Sequence, residues 1–552
     1  MALNTSIDRD IFQHQLAGIA EEMSQALRRS SHSSIIWDMY DYACAIFTPG
    51  GELLAQAETI TAQLGTMSTA LRHMCAAIPL AEWRPGDAMV CNDPYRGCTH
   101  TPDITVFSPV FQDGELIAIT STIAHHIDIG GRFPCTTAIE NEEVFGEGLI
   151  FPPVRIEEGF QMNPIVQAFV TANVRDPNAC LGDLRAQIAG CRTAERRLQE
   201  LAGGLGNVHF ATLAADVLDY GERYVRGMLQ SWPDGRYEAE ILMEDGIGAP
   251  EHIRIKVAVT IAADTIDVDF TGTSEQRRCA LNCPWSSTIS LTTYAVKCLT
   301  APDTPLNDGF NRPIRVHAPL GSLLNPRRPA AVGSRHFAQQ AVADVLLKAL
   351  APLLPERSAA GCQISVPTFR AGGIDDRLPD EQGDGGRAYR IMDIIGGGMG
   401  GSSGADGMNA VDTHGGNCGL LSAEVMESFS PVRVLESRLV PGSGGDGKHR
   451  GGLAIERAYE VLAGMAVCAS QRQQAEDETA PWGAAGGAPG GKSLAVLFAG
   501  TPRERVLAAR TRHMVLHRGD VVRVRAAGGG GYGDPAERSV EDRARDIAEG
   551  YV

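Results

Sequence analysis

The chain is short of the features that mark several protein classes. Its thirteen cysteines are an odd number spread over 552 residues with no C-x-x-C pair, so neither a disulfide framework nor a structural zinc ribbon is suggested. Reduced thiols in the cytoplasm are the simplest account. Basic residues are outnumbered: 49 Lys and Arg against 67 Asp and Glu leave a net charge of -18, which argues against a general nucleic-acid surface. No apolar run reaches the roughly 18 residues needed to span a bilayer. The opening MALNTSIDRDIF carries no basic segment followed by an apolar one. The expectation is therefore a soluble cytoplasmic enzyme with no nucleic-acid or membrane partner.

What is present is ordinary for a globular protein, with 43% hydrophobic and 21% charged residues. The length exceeds a single core and predicts two or three domains. Residues 8–29 read as an amphipathic helix with Phe12, Leu16, Ile19, Met23 and Leu27 at three- and four-residue spacings. Asp41-Tyr-Ala-Cys-Ala-Ile-Phe, the turn Thr48-Pro-Gly-Gly51 and Glu52-Leu-Leu-Ala-Gln predict a hairpin. A helix is expected over 181–201, opening at Gly182-Asp183. Strands are expected over 237–243, 253–261 and 265–270, helices over 286–299 and 337–354, a polar surface loop over 370–387, and short strands with glycine turns from about 432. The expected class is mixed α/β (α+β). An N-terminal α/β region over 1–230 precedes a β-rich region with helices over 231–430 and a Gly-rich, β-rich region over 431–552.

Polar chemistry is densest between Cys91 and Gly148. His100-Thr-Pro-Asp103 cannot sit inside a helix, because Pro102 breaks one, so both side chains belong to a turn entering the strand at 104–106. After the turn Gln112-Asp113-Gly114, residues 116–124 read as a strand in which Ile117, Ile119 and Ile123 share a face with His125, while His126 points the other way. Two imidazoles and a carboxylate suit a divalent transition metal with positions left for water. The alternative is a set of hydrogen-bonded core or turn histidines without metal. Asp128 and Glu147 are candidates for acid/base work or for orienting a metal-bound histidine; turn or surface roles are the alternative. Arg175 suits a substrate carboxylate or phosphoryl group, or else a salt bridge. Cys98 is a ligand, a nucleophile or a small buried thiol.

Two glycine patterns invite a nucleotide. Gly486-Gly-Ala-Pro-Gly-Gly-Lys492-Ser493 fits the phosphate-loop expression, but a strand rather than a helix follows it. Gly396-Gly-Gly-Met-Gly-Gly401 fits a dinucleotide fingerprint, again with no helix after it. These glycines instead allow close approach of backbone to backbone or to a partner subunit.

The motifs NDPYRGCTHTPD, HHIDIGG, EGLIFPP, NVRDPNACLGDLRAQIAG, DVDFTGTSEQ, DTPLNDGFNRPIRV, PGSGGDGKHRGGL, PWGAAGG and GGGGYGDPAER occur in this order along nearly the whole chain. In this it resembles the hydantoinase B/5-oxoprolinase family, which is related to acetone-type carboxylase subunits. The resemblance implies a metal-dependent subunit of an ATP-using amidohydrolase. One divalent transition metal (Zn, Mn or Fe) would be held by His100, Asp103 and His125 together with Asp41 of the Asp-Tyr-Ala-Cys-Ala element. ATP would be bound by a hydantoinase A-like partner in a hetero-oligomer with two or more copies of each subunit. The partner would phosphorylate the carbonyl of a small cyclic amide, and metal-polarised water on this chain would open the ring. Carboxylation of an acetone or acetophenone type, or a non-catalytic scaffold role, are the alternatives. Three departures stand out. Gln63 replaces a histidine common in the family, which bears on substrate binding; Cys98 replaces a glycine; and Phe133-Pro-Cys135-Thr-Thr replaces a Gly-Ser turn.

Overall fold

The computed structural model describes residues 5–134, 138–245, 251–300, 302–379 and 385–552. The Phe133-Pro-Cys135-Thr-Thr departure lies in part outside them, at 135–137. The chain is α+β, and the described residues form four sheets with long helices packed on them.

The first sheet carries strands β1 (Tyr42–Phe47), β2 (Leu53–Gln56), β3 (Ala88–Cys91), β4 (Asp103–Gln112), β5 (Glu115–His125), β6 (Val154–Glu158) and β7 (Gln161–Met162). Their order is β2-β1-β5-β4-β3-β6-β7. The expected β1–β2 hairpin is present. Strands β4 and β5 turn through Asp113 and Gly114, at φ 53° and 82°, the two left-handed residues that a two-residue hairpin loop of this twist requires. The helix Thr5–Ser30 buries its whole predicted stripe, Phe12, Leu16, Ile19, Met23 and Leu27. Each such side chain contributes about 1.5–3 kcal/mol of transfer free energy.

The helix Pro177–Leu205 covers β4 and β5. It starts four residues earlier than the sequence pattern implied, because Asp176 caps it by accepting from the Ala179 amide and Pro177 fits the first turn. Asp183 is therefore interior, where its carboxylate accepts from the amides of His32 and Ser33 and from the Ser33 hydroxyl.

The second sheet runs β11-β10-β9-β8, from β8 (Gly235–Met243), β9 (Ile253–Ala262), β10 (Thr265–Asp269) and β11 (Ile314–His317). The helices Trp285–Thr300 and His336–Leu350 share its apolar core. The third sheet, ordered β13-β12-β16-β19, contains β12 (Thr368–Asp375), β13 (Arg387–Ile394), β16 (Met465–Gln471) and β19 (Met514–His517). Here the expected surface loop over 370–387 is corrected: its first third is an inner strand with Phe369 and Ala371 buried. Arg370 and the pair Gly372-Gly373 disguise the alternation. Gly372 is needed because a Cβ there would lie 2.7 Å from Pro134 Cβ. The fourth sheet, β14-β15-β20-β17-β18, is built from β14 (Val432–Leu439), β15 (Ile455–Val461), β17 (Leu494–Leu497), β18 (Arg505–Val506) and β20 (Val521–Arg525).

Between these sheets the glycine-rich segments run side by side as hydrogen-bonded backbone. Gly452 donates to Met399 O at 2.8 Å, Gly529 to Gly452 O at 2.9 Å and Gly401 to Gly530 O at 2.8 Å. A Cβ on Gly529 would fall 1.8 Å from the Met399 carbonyl oxygen. Close backbone approach accounts for the run Gly396–Gly401. Lys492 pairs with Asp477 at 2.6 Å, and β17 follows it.

Candidate active site

Strand register assembles the site. Asp103 and His125 are direct cross-strand partners at one end of β4 and β5. Asp41 immediately precedes β1 on the other side of β5, and its carbonyl accepts the His125 amide at 3.0 Å. Three neighbouring strands thus present Asp103, His125 and Asp41 in a row, and the turn before β4 adds His100. His126 faces the helix behind the sheet and meets Gln187 Oε1 at 2.9 Å, as a period of two requires.

The donor atoms converge. His100 Nε2 lies 3.2 Å from Asp103 Oδ1 and 3.3 Å from His125 Nδ1. His125 Nδ1 is 3.1 Å from Asp103 Oδ1 and 3.7 Å from Asp41 Oδ2. Whether a metal fits follows from the tautomer. The Gly333 carbonyl, 2.9 Å from His100 Nδ1, can only accept, so that nitrogen carries the proton. Burial pushes His100 down to about 4, so near pH 7 its Nε2 presents a bare lone pair to Asp103. Burial alone would raise Asp103; His100, His125 and Arg335 overcome it and hold this carboxyl well below the usual range. A lone pair facing a carboxylate oxygen at 3.2 Å is repulsive unless a cation, or the proton of His125 Nδ1 at 3.3 Å from the nitrogen and 3.1 Å from the oxygen, lies between them. This donor set fits a divalent transition metal.

Around these ligands stands a supporting shell. Arg335, just before the helix His336–Leu350, donates to Asp103 Oδ2 at 2.9 Å and leaves Oδ1 to the ligand cluster. Gln63 donates to Asp41 Oδ1 at 2.8 Å, and burial raises Asp41 to about 6. Glu147 is fully buried, with Oε1 accepting from the Val332 amide at 2.9 Å and the Gly333 amide at 2.6 Å. It thereby holds the carbonyl that sets the His100 tautomer. Asp128 does not approach the histidines: it accepts from the Gly130 and Asp176 amides and from the amide and guanidinium of Arg175. Arg175 also donates to Gly131 O at 2.7 Å. The structure thus brings Asp41, Gln63, His100, Asp103 and His125 together, keeps Glu147 one hydrogen bond behind them, and places Asp128 and Arg175 in a clamp elsewhere. Cys98 is buried 3.4 Å from Cys91 Sγ, and the twelve described cysteines are free thiols.

His100, His125 and Asp41 line a small cavity of about 70 Å³ whose other wall the sequence pattern did not disclose. Arg335, His336, Gln339, Thr368, Arg370 and Asp412 line it from distant segments. His336 Nε2, Gln339 Nε2, Thr368 Oγ1 and Asp412 Oδ1 are buried with no hydrogen-bond partner among the described residues, the condition of groups that await a polar ligand. Burial raises Asp412 to about 6 and, helped by Arg370 and Arg335, holds His336 well below its ordinary value. The only trace of this wall in the sequence is two short polar clusters beside apolar stretches, Ser334-Arg-His336 and Asp412-Thr-His-Gly415, neither in register with His100.

The family described as Hydantoinase B/oxoprolinase matches over residues 5–535. A Methanocaldococcus jannaschii protein of uncharacterised function is 32% identical over 98% of this chain and 92% of its own length. A putative B-type subunit of a D-/L-hydantoinase of Pseudomonas sp. is 31% identical over 97% of this chain and 91% of its own. The 5-oxoprolinase of Pestalotiopsis fici is 31% identical over 95% of this chain, which spans 41% of that longer protein. Among solved structures, the ATP-dependent caprolactamase of Pseudomonas jessenii superposes with a TM-score of 0.91 at 26% identity over 100% of this chain and 95% of that one. No described helix is long and apolar enough to cross a membrane.

Proposed function

The chain belongs to the hydantoinase B/oxoprolinase family, and from that premise we propose that it is the metal-binding subunit of an ATP-dependent cyclic amidohydrolase. Its substrate is a hydantoin, 5-oxoproline or lactam ring whose carbonyl oxygen is phosphorylated by an ATP-binding hydantoinase A-like partner, in an assembly with two or more copies of each. The observation that carries this reading is the His100/Asp103/His125/Asp41 cluster facing a cavity in which buried polar atoms lack partners among the described residues. Related proteins named as a B-type hydantoinase subunit, a 5-oxoprolinase and an ATP-dependent caprolactamase support the substrate class.

A divalent transition metal held by these four residues would supply Lewis acidity, which lowers the pKa of water from about 15.7 toward about 7. The chain's own groups do the rest. Arg335 keeps Asp103 ionised and directed, Gly333 fixes the His100 tautomer, Glu147 fixes Gly333, and Gln63 orients Asp41. Asp412, raised to about 6 by burial, is the group suited to take a proton from the attacking water and return it to the ring nitrogen as the C–N bond breaks. The phosphoryl group stays on the former carbonyl oxygen as an acyl phosphate, from which a second water releases inorganic phosphate. Arg335 and Arg370 give the cavity the positive charge that an anionic activated carbonyl needs. His336 and Gln339 add neutral donors. In this reading Asp128 and Arg175 act by shaping the loop 128–131, not by touching substrate.

The test is to assay the chain with its A-like partner and ATP on hydantoin, 5-oxoproline and caprolactam, beside a His100→Ala, His125→Ala double variant. ATP-dependent ring opening by the wild type, lost in the variant along with one equivalent of metal, is the expected result. Bicarbonate consumption with a ketone and no ring opening would replace hydrolysis by carboxylation. Full activity in the double variant would leave only a scaffold role.

A further inference from the structure

A second set of metal-type donors lies outside the proposed active site. Asp344 belongs to the helix His336–Leu350, Cys362 to the extended segment preceding β12, and His414 to the loop that lines the cavity. One carboxylate oxygen, one thiol sulfur and one ring nitrogen of these three residues lie within 4.8 Å of one another. His414 Nε2 is 3.3 Å from Asp344 Oδ1. All three residues are buried, at 2%, 4% and 7% exposure respectively. We propose that Asp344, Cys362 and His414 form a second transition-metal site, for zinc or a similar thiolate-binding ion, that braces the cavity wall.

The dimensions suit such an ion. Bonds of about 2.3 Å to sulfur and about 2.0–2.2 Å to nitrogen and oxygen place tetrahedral donors roughly 3.3–3.6 Å apart, close to the His414–Asp344 separation. The surroundings are those of oriented ligands. The Gly400 amide donates to Cys362 Sγ at 3.4 Å, the arrangement that stabilises a thiolate. Trp482 Nε1 donates to Asp344 Oδ2 at 2.7 Å, and the Cys362 amide to Oδ1 at 3.0 Å, so the carboxylate cannot rotate away. His414 holds a left-handed φ of 50°, an unfavourable conformation for a residue with a side chain and one that surrounding structure must enforce. Tyr294 meets the imidazole edge-on, with ring centroids 6.0 Å apart.

Position assigns the role. His414 is followed by Gly415 and Gly416 and preceded at two residues by Asp412, all three of which line the cavity. The Gly415 amide donates to Gln340 Oε1 at 2.9 Å, one turn before Asp344 on the same helix. An ion joining the three segments ties that loop to the helix and fixes where Asp412 stands. A thiolate ligand selects zinc over the harder manganese or magnesium, and burial keeps the ion from exchanging with substrate.

The site is independent of the His100/His125 cluster, and the two can be told apart. The wild-type chain, its Cys362→Ser variant and the His100→Ala, His125→Ala variant are reconstituted with cobalt(II) and analysed for metal content and near-ultraviolet absorption. Of the two donor sets only this one includes a thiolate, so the thiolate-to-cobalt charge-transfer band reports it alone. Expected are two equivalents with the band in the wild type, one equivalent with the band in the histidine variant, and one equivalent without it in Cys362→Ser. A single equivalent with the band persisting in the histidine variant would keep this site and remove the other. A wild type with no thiolate band would overturn the proposal and leave the three residues as a hydrogen-bonded core; that measurement needs no variant to fold.

Discussion

Replacing Glu147 by Gln should change how stability depends on pH without changing what the side chain touches. Burial raises this carboxyl to about 8, against the backbone amides of Val332 and Gly333 that would lower it. In the unfolded chain a glutamate titrates near about 4.3. Between the two values the folded protein keeps a proton that the unfolded chain releases, so the unfolded state binds fewer protons and stability falls as pH rises. The contribution is fully present below about 4.3, declines by up to about 1.4 kcal/mol per pH unit, and is exhausted above about 8. From pH 5.5 to 8 this amounts to about 3 kcal/mol. Gln cannot ionise, and since Oε1 accepts both amides, at 2.9 and 2.6 Å, while Oε2 adds only a longer 3.2 Å contact to the Val332 amide, an amide oxygen in the Oε1 position retains both short bonds. The assay is urea unfolding of both proteins at pH 5.5, 6.5, 7.25 and 8, read as the difference between them so that all other titrating groups cancel. The variant should gain about 3 kcal/mol on the wild type across this range. Curves that stay parallel within about 0.5 kcal/mol would refute the reasoning and mean that the two amides keep Glu147 ionised throughout.

Three further outcomes follow from the same geometry. Asp412→Asn should lower the ring-opening rate about 10²–10⁴-fold and abolish the acid limb of the pH profile, which in the wild type falls as Asp412 is protonated below about 6; an unchanged limb assigns the proton elsewhere. Arg335→Met should destabilise the metal-free chain by about 3–5 kcal/mol, because Asp103 is left buried and charged without its cation; denaturant titration in the presence of chelator measures it. Gly529→Ala should abolish soluble folded protein, since its Cβ would fall 1.8 Å from the Met399 carbonyl oxygen and the cost exceeds about 4–5 kcal/mol; expression with circular dichroism decides it.

Local order is legible wherever a short period governs the chain. The stripe from Phe12 to Leu27 announces a buried helix, the Asp113-Gly114 turn announces the β4–β5 hairpin, and alternation along β5 by itself separates His125 from His126. The register that sets Asp103 opposite His125 is not dictated by the two-residue turn, which would pair Asp103 with Ala124; an irregularity at Val110/Phe111 shifts the pairing by one residue, and nothing in the sequence announces it. Asp41 is legible only through the family motif, since nothing local distinguishes it from Asp38.

Tertiary structure alone decided the remainder. Arg335 reaches Asp103 across 232 residues of chain and Asp412 enters the cavity from another loop; no periodicity in sequence encodes contacts between segments brought together by packing. Burial likewise determined the chemistry of Glu147 and Asp412, because a carboxyl's proton affinity depends on the dielectric and dipoles around it rather than on its neighbours in sequence. Asp128 and Arg175 show the converse. Their residue types suited a catalytic role, yet the turn at Gly130 and the cap at Asp176 direct them to each other. The sequence by itself determined which strand end and which turn carry the metal-type ligands, through short-range steric and hydrophobic rules. Only the folded chain decided what faces them, because that depends on long-range packing.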